Sequence, residues 1–213
     1  MAKSSLESVE LLPHSVIKRF AAAEAFHREL RVYQANLPMV PKLIRFEERD
    51  WIEMERIEGQ PYLDRDFNPE AAANLAAAIA RFHLAWFSED ICLCHWDNQP
   101  ANLLRSGDAY YFLDFSDSRL APPEADVSHL LLFWAAEFDL TANQDLLDGF
   151  LAAYQSLIPL DPLRWSNALD QSLERFSRRR KLHSHPGHHT DNGCFNANLR
   201  LLRDLIRQPG KIP

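Results

Sequence analysis

Residues 94–104 read CHWDNQPANLL, and residues 110–118 read YYFLDFSDS. The first run places Asp97 and Asn102 in one loop. The second places Asp114 at the end of the strand that follows. The connection from Leu103 to Ala109 is short enough for a hairpin, so Asn102 and Asp114 can meet at its open end. Both offer oxygen ligands, and hard oxygen donors of this kind suit Mg²⁺ held together with phosphate. Asp97 stands five residues before Asn102 and is left to face an acceptor hydroxyl.

Upstream of this stretch, His14 to Phe20 has the β-branched content and alternation of a strand, with Glu7 to Leu11 as its partner. Ala21 to Asn36 has helical spacing, with Phe26, Leu30 and Tyr33 on one face, and Pro38 and Pro41 end it. Leu43 to Phe46 and Trp51 to Ile57 read as two strands around the polar turn Glu47 to Asp50. Glu58, Gly59, Gln60 and Pro61 form a linker. The expected architecture is α+β, with a small β-rich lobe over residues 1–57 and a mainly helical lobe over residues 58–213 that carries the catalytic loop. The second lobe opens with a helix from Asn68 to Trp86, with Asn68 as N-cap and Pro69 at the first position. Further helices are expected at about 123–137, 142–156, 162–181 and 194–207, each end within a few residues.

Composition narrows the function. The net charge is −7, which argues against a nucleic-acid partner. All six glycines lie at or after Gly59, so no glycine-rich phosphate loop exists near the N-terminus. Three cysteines, Cys92, Cys94 and Cys194, make no disulfide framework and suit a reducing compartment. The N-terminus lacks the apolar core of a secretory signal, and the run Leu130 to Ala136 is too short to span a bilayer. A cytoplasmic location follows as the expectation.

Two groups invite a metal reading. His183, His185, His188 and His189 sit in a polar connection, but their spacing fits no zinc pattern, and a solvated loop is expected. Cys92 and Cys94 would share one strand face with no second ligand pair nearby in sequence. They are expected to be buried free thiols. The run Arg178 to Lys181 reads as a solvated helix end.

The order of His95, Asp97, Asn102, Asp114 and Phe115 resembles the catalytic pattern of the protein kinases. The chain as a whole resembles the kinase-like phosphotransferases, and within them the aminoglycoside phosphotransferase and choline kinase group, with a shortened N-terminal lobe. Pro100 follows the catalytic loop aspartate, Asp114-Phe115-Ser116-Asp117 departs from Asp-Phe-Gly, and no Ala-Pro-Glu segment closes an activation loop. The resemblance covers roughly residues 10–135.

The resemblance implies ATP and Mg²⁺ as cofactors and a small-molecule hydroxyl as acceptor. Asp97 would be the catalytic residue, and Asn102 and Asp114 the metal ligands. Lys18, in Ser15-Val16-Ile17-Lys18, would hold phosphate and pair with a helix glutamate. Glu24 and Glu29 compete for that role. Glu29 is preferred, because Phe26-His27-Arg28-Glu29 resembles the usual segment. The Glu55 carbonyl and Ile57 amide would pair with adenine. His95 and Asp126 would be structural supports. Trp96 either lines the acceptor pocket or packs against the lobe.

No glycine precedes Lys18, which implies weaker cover over the phosphates. The rival expectations are a catalytically inactive nucleotide-binding or scaffolding pseudokinase, a small atypical protein kinase, and a lipopolysaccharide-core kinase. The acceptor and the oligomeric state are not readable from the sequence.

Overall fold

The structure is a computed structural model and describes residues 6–63, 67–182 and 192–205. It contains two compact units. The first comprises the described residues of Met1–Asp64 and His95–Arg119. The second comprises those of Arg65–Cys94 and Leu120–Pro213. The stretch His95–Arg119 thus groups with the N-terminal residues. The fold class is the expected one, a β-rich N-terminal part and a helical C-terminal part.

In the first unit, β1 (Leu6–Leu11), β2 (Ser15–Phe20), β3 (Leu43–Glu47) and β4 (Trp51–Glu55) form an antiparallel sheet in the order β1-β2-β4-β3. The turn before β2 contains Pro13 and no glycine, and is closed by Leu12 N–H donating to the Ser15 carbonyl at 2.9 Å. Helix α1 (Ala23–Gln34) buries Phe26, Glu29, Leu30 and Tyr33. Phe26 meets Phe20 edge-on at 5.7 Å, which seats α1 on the sheet. One carboxylate therefore lies on a helix face that is otherwise apolar, and that is the face turned towards Lys18 of β2.

The short strand β5 (Gln60–Pro61) pairs with β7 (Leu103–Ser106), and β7 pairs with β8 (Ala109–Phe112). Gly107 takes φ 59° in the β7–β8 turn, a conformation that glycine adopts without strain. At Gly59 a side chain would meet the Arg105 carbonyl oxygen at 2.7 Å, so the close approach of β5 to β7 requires glycine.

The second unit is helical. It contains α2 (Pro69–Leu84), α3 (Glu124–Glu137), α4 (Gln144–Gln155), α5 (Pro162–Leu182) and α6 (Asn192–Asp204). It also holds β6 (Cys92–Cys94), whose sheet partner is β9 (Arg119–Ala121), of which Leu120 and Ala121 belong to this unit. The Asn68 side chain accepts from the Ala71 N–H at 3.0 Å and caps α2 as expected. Helix α3 is buried on almost every side, so it has no polar face to show. Its buried Ser128 is satisfied by Ser172 at 3.0 Å. Asn198 of α6 accepts from Leu140 N–H and donates to the Ala135 and Phe138 carbonyls, closing an otherwise open end of α3. No helix among the described residues is long and apolar enough to cross a membrane.

Candidate active site

Lys18, Glu29, His95, Asp97, Asn102 and Asp114 all belong to the first unit. Lys18 Nζ lies 2.5 Å from Glu29 Oε1 and 3.1 Å from Asp114 Oδ1. The sheet supplies the cation, α1 one anion and the end of the β8 segment the other. Glu24 is exposed and pairs instead with Arg28 on its own helix. Helical geometry separates the two glutamates, because only Glu29 shares a face with Phe26 and Tyr33.

The charges follow from this packing. Burial works against the ammonium of Lys18, but Glu29 and Asp114 outweigh it and raise its pKa. Burial raises Glu29 to about 7, against the pull of Lys18. Burial also opposes ionisation of Asp114, but Lys18, with hydrogen bonds from Glu29, Lys18 and Ser116, brings it to about 2. At neutral pH the group therefore presents an ammonium and an ionised Asp114, with Glu29 able to take or release a proton.

Two local devices hold Asp114. Its φ of 64° lies in the left-handed region, which aspartate tolerates better than most residues. Ser116 Oγ donates to Asp114 Oδ1 at 3.0 Å, and Arg28 donates to the Ser116 carbonyl at 2.9 Å. Arg28 and Ser116 escape a sequence reading. Arg28 looks like a surface residue beside Glu24, and Ser116 looks like a simple departure from glycine.

The loop from His95 to Asn102 is tied to the β7–β8 hairpin. Leu113 N–H donates to the Asn102 carbonyl at 2.8 Å and extends the ladder by one step, so Asn102 and Asp114 stand at its open end. Asn102 Nδ2 donates to the Asp97 carbonyl at 2.9 Å and to Asp97 Oδ2 at 3.2 Å. Gln99 Nε2 donates to the same carboxylate oxygen at 3.3 Å. Asn102 thus spends its nitrogen on the loop, which leaves its amide oxygen as the atom that could meet a cation. The donor set of Asn102 and Asp114 is all oxygen, which fits Mg²⁺.

His95 braces the loop from within. Its Nδ1 accepts from the Asp97 N–H at 3.2 Å, which leaves Nε2 to donate to the Leu113 carbonyl at 2.8 Å. Its ring lies 5.0 Å from that of Phe115. Trp96 takes φ 69°, and the Arg119 guanidinium sits 4.5 Å over its ring. Stacking against Arg119 is thus one thing that the Trp96 side chain does.

Glu55 ends β4, with its N–H donating to the Lys42 carbonyl at 2.8 Å. Ile57 lies two residues beyond the strand end and is half-buried.

Asp126 belongs to the second unit, on α3, and is buried there. Its Oδ2 lies 3.0 Å from His83 Nε2, while His83 Nδ1 lies 2.7 Å from the Tyr154 hydroxyl. His83 and Tyr154 carry no motif. The available signal is a histidine on the apolar face of α2, between Ile79 and Trp86. Burial, together with Cys92, Cys94 and Asp126, pushes the Tyr154 phenol well above its usual range. The histidines at 183–189 lie outside the described residues.

The model of the phosphotransferase enzyme family that includes the aminoglycoside phosphotransferases matches residues 84–160. Comparison with the curated proteins finds no match. Among solved structures, the chain is similar to an aminoglycoside phosphotransferase from Alicyclobacillus acidocaldarius. Identity is 14%, with 95% of this chain and 93% of that chain covered and a TM-score of 0.62. It is also similar to an ethanolamine kinase from Plasmodium vivax, at 14% identity, 96% and 82% coverage and a TM-score of 0.62. A third is the streptomycin–ATP ternary complex of the aminoglycoside phosphotransferase APH(2″)-IIa, at 14% identity, 85% and 86% coverage and a TM-score of 0.58. The fold is thus the kinase-like fold of these enzymes, and the family resemblance carried by residues 94–118 agrees with both comparisons.

Proposed function

We propose that the protein is an ATP-dependent phosphotransferase that moves the γ-phosphate to a hydroxyl of a small molecule. The observation that carries this reading is the convergence of Lys18, Glu29 and Asp114 beside a loop in which Asn102 holds Asp97. A scaffold has no use for a buried lysine shared by two carboxylates, or for a left-handed aspartate held by Ser116. The similar structures include one with ATP bound, which supports the nucleotide as donor.

Magnesium, when bound with ATP, would neutralise phosphate charge, and Asn102 and Asp114 would hold it. Lys18 sets a positive charge against phosphate oxygens, and Glu29 keeps the lysine side chain straight. Asp97 orients the acceptor hydroxyl and takes its proton late in the transfer. Its Oδ2 is fixed by Asn102 and Gln99, so the carboxylate is oriented before an acceptor arrives. The Glu55 carbonyl and Ile57 amide would pair with adenine. His95 fixes the loop backbone at Asp97, and Asp126 is a support in the second unit.

The acceptor belongs to the amino alcohol, aminoglycoside or sugar class. Residues 61–213 carry most of the negative charge, which favours a cationic member.

The deciding experiment is phosphate transfer from labelled ATP to a panel of amino alcohols, sugars and aminoglycosides. At least one acceptor should be phosphorylated. Asp97→Ala should lower that rate by about 10²–10⁴-fold with nucleotide binding retained. Transfer at the wild-type rate by Asp97→Ala would sink the assignment. Nucleotide binding without transfer to any acceptor would favour the scaffolding reading.

A further inference from the structure

The second unit holds a buried constellation that phosphoryl transfer does not use. Cys92 and Cys94 stand two residues apart on β6, with their side chains on the same face. Their sulfurs are 3.8 Å apart. His83 of α2 joins them: one ring nitrogen and the two sulfurs all lie within 4.8 Å of one another. Tyr154 of α4 reaches His83 Nδ1, and Asp126 of α3 reaches Nε2. The sequence alone offered no partner for the cysteine pair; packing α2 against β6 supplies one.

From this geometry we infer that His83, Cys92 and Cys94 form a site for one thiophilic divalent cation of the zinc type. Three features carry the inference. Two zinc–sulfur bonds of about 2.3 Å at a tetrahedral angle place the sulfurs roughly 3.8 Å apart. The observed separation of 3.8 Å needs no closing movement. The Asp126 carboxylate accepts from Nε2, so Nδ1 keeps its lone pair, which takes the Tyr154 hydroxyl hydrogen bond at 2.7 Å and exchanges that bond for the cation. A carboxylate behind a metal-binding histidine is the usual arrangement for fixing the ring and raising its basicity. The charges also balance, since two thiolates neutralise a divalent cation in a fully buried place.

Without a cation, the thiols make weak contacts to the Ala121 and Pro122 carbonyls at 3.4–3.7 Å. On binding, two S–H bonds are replaced by two metal–sulfur bonds, and both protons pass to solvent. The occupied site would pin β6, whose last residue precedes His95, to α2.

The test uses the full chain, reduced and stripped with chelator, then titrated with Cd²⁺ alone. The variant Cys194→Ala removes the remaining thiol, which is only half-buried. One equivalent of Cd²⁺ should bind to it and give the near-ultraviolet charge-transfer band of a two-thiolate site. At about a hundredfold excess over Kd, the unfolding temperature should rise by roughly 5–10 °C. Adding Cys92→Ala should weaken binding by at least about 100-fold and remove half of the band. Absence of the band in Cys194→Ala overturns the proposal. So does binding without any sulfur band, as the histidines at 183–189 would give, and so does an unchanged affinity in Cys92→Ala. Should Cys92→Ala fail to fold, the band in Cys194→Ala decides alone.

Discussion

Each unit holds a polar cluster that packing has brought together, and these two clusters are built on opposite terms. In the first unit, Lys18 faces Glu29 and Asp114, and Asp114 keeps a side chain that is 38% exposed. In the second, His83, Asp126 and Tyr154 are enclosed by α2, α3 and α4, with His83 and Asp126 at 0% and 1% exposure. A partly open cluster can shift protons and accept a ligand. A closed one has to satisfy its polar atoms internally, because an unpaired buried polar group costs about 1–3 kcal/mol. The first cluster is therefore reachable from solvent, while the second keeps its groups paired internally, with Cys92 and Cys94 beside it as the proposed cation site.

Removing the central residue of each cluster is the strongest way to break that contrast. His83→Leu deprives a buried carboxylate and a buried phenol of their shared partner. It should cost about 3 kcal/mol or more in urea unfolding. Lys18→Met should cost less than half as much below pH 7, because Glu29 can take a proton and become neutral in place. Phosphate transfer should respond more strongly to Lys18→Met than stability does. Equal losses of stability in the two variants would remove the distinction.

The pH dependence sharpens the contrast within the first cluster. Asp114 is held at about 2, below its ordinary 3.8. The unfolded chain therefore binds the proton first, and the stability from Asp114 is present above about 3.8 and lost as pH falls towards 2. Glu29 runs the other way. Its folded pKa of about 7 lies above 4.5, so its contribution declines as pH rises from 4.5 to 7. Asp114→Asn should flatten the acid limb of the stability profile, and Glu29→Gln the decline between 4.5 and 7. A profile unchanged in both variants would show that these groups do not titrate as the packing demands.

The smallest expected effect is at Glu24. Its pair with Arg28 is a surface pair on one helix, so Glu24→Ala should change stability by about 0.5 kcal/mol or less. Phosphate transfer should stay at the wild-type rate. A loss comparable to that of Glu29→Gln would mean that the wrong glutamate has been assigned to Lys18.

Much of the first cluster was legible before any fold was known. Asp97, Asn102 and Asp114 lie close in sequence, and a hairpin between them leaves few ways to arrange three side chains. The element order was legible too. Strand alternation marks β2 and β4, and the Asn68–Pro69 start marks α2. Helix α3 was also legible, expected at about 123–137 and found at Glu124–Glu137, although a helix buried on almost every side has little periodic face. The choice between Glu24 and Glu29 needed the sheet, since both sit on good helical positions. Ser116 and Arg28 were not legible, because their roles pass through backbone carbonyls and a single side-chain oxygen.

The sequence by itself determined the chemistry that is on offer: an oxygen-rich loop and hairpin, a strand lysine, a glycine-free N-terminal stretch and two thiols on one strand face. Local spacing decides such features, because neighbours in the chain remain neighbours in the fold. Only the tertiary structure decided which groups become partners. Lys18 and Asp114 are 96 residues apart in the chain, and His83 and Tyr154 are 71 apart. No local preference encodes those meetings. They arise because burying the apolar faces of α1, α2, α3 and α4 carries polar residues inside, where they must find one another.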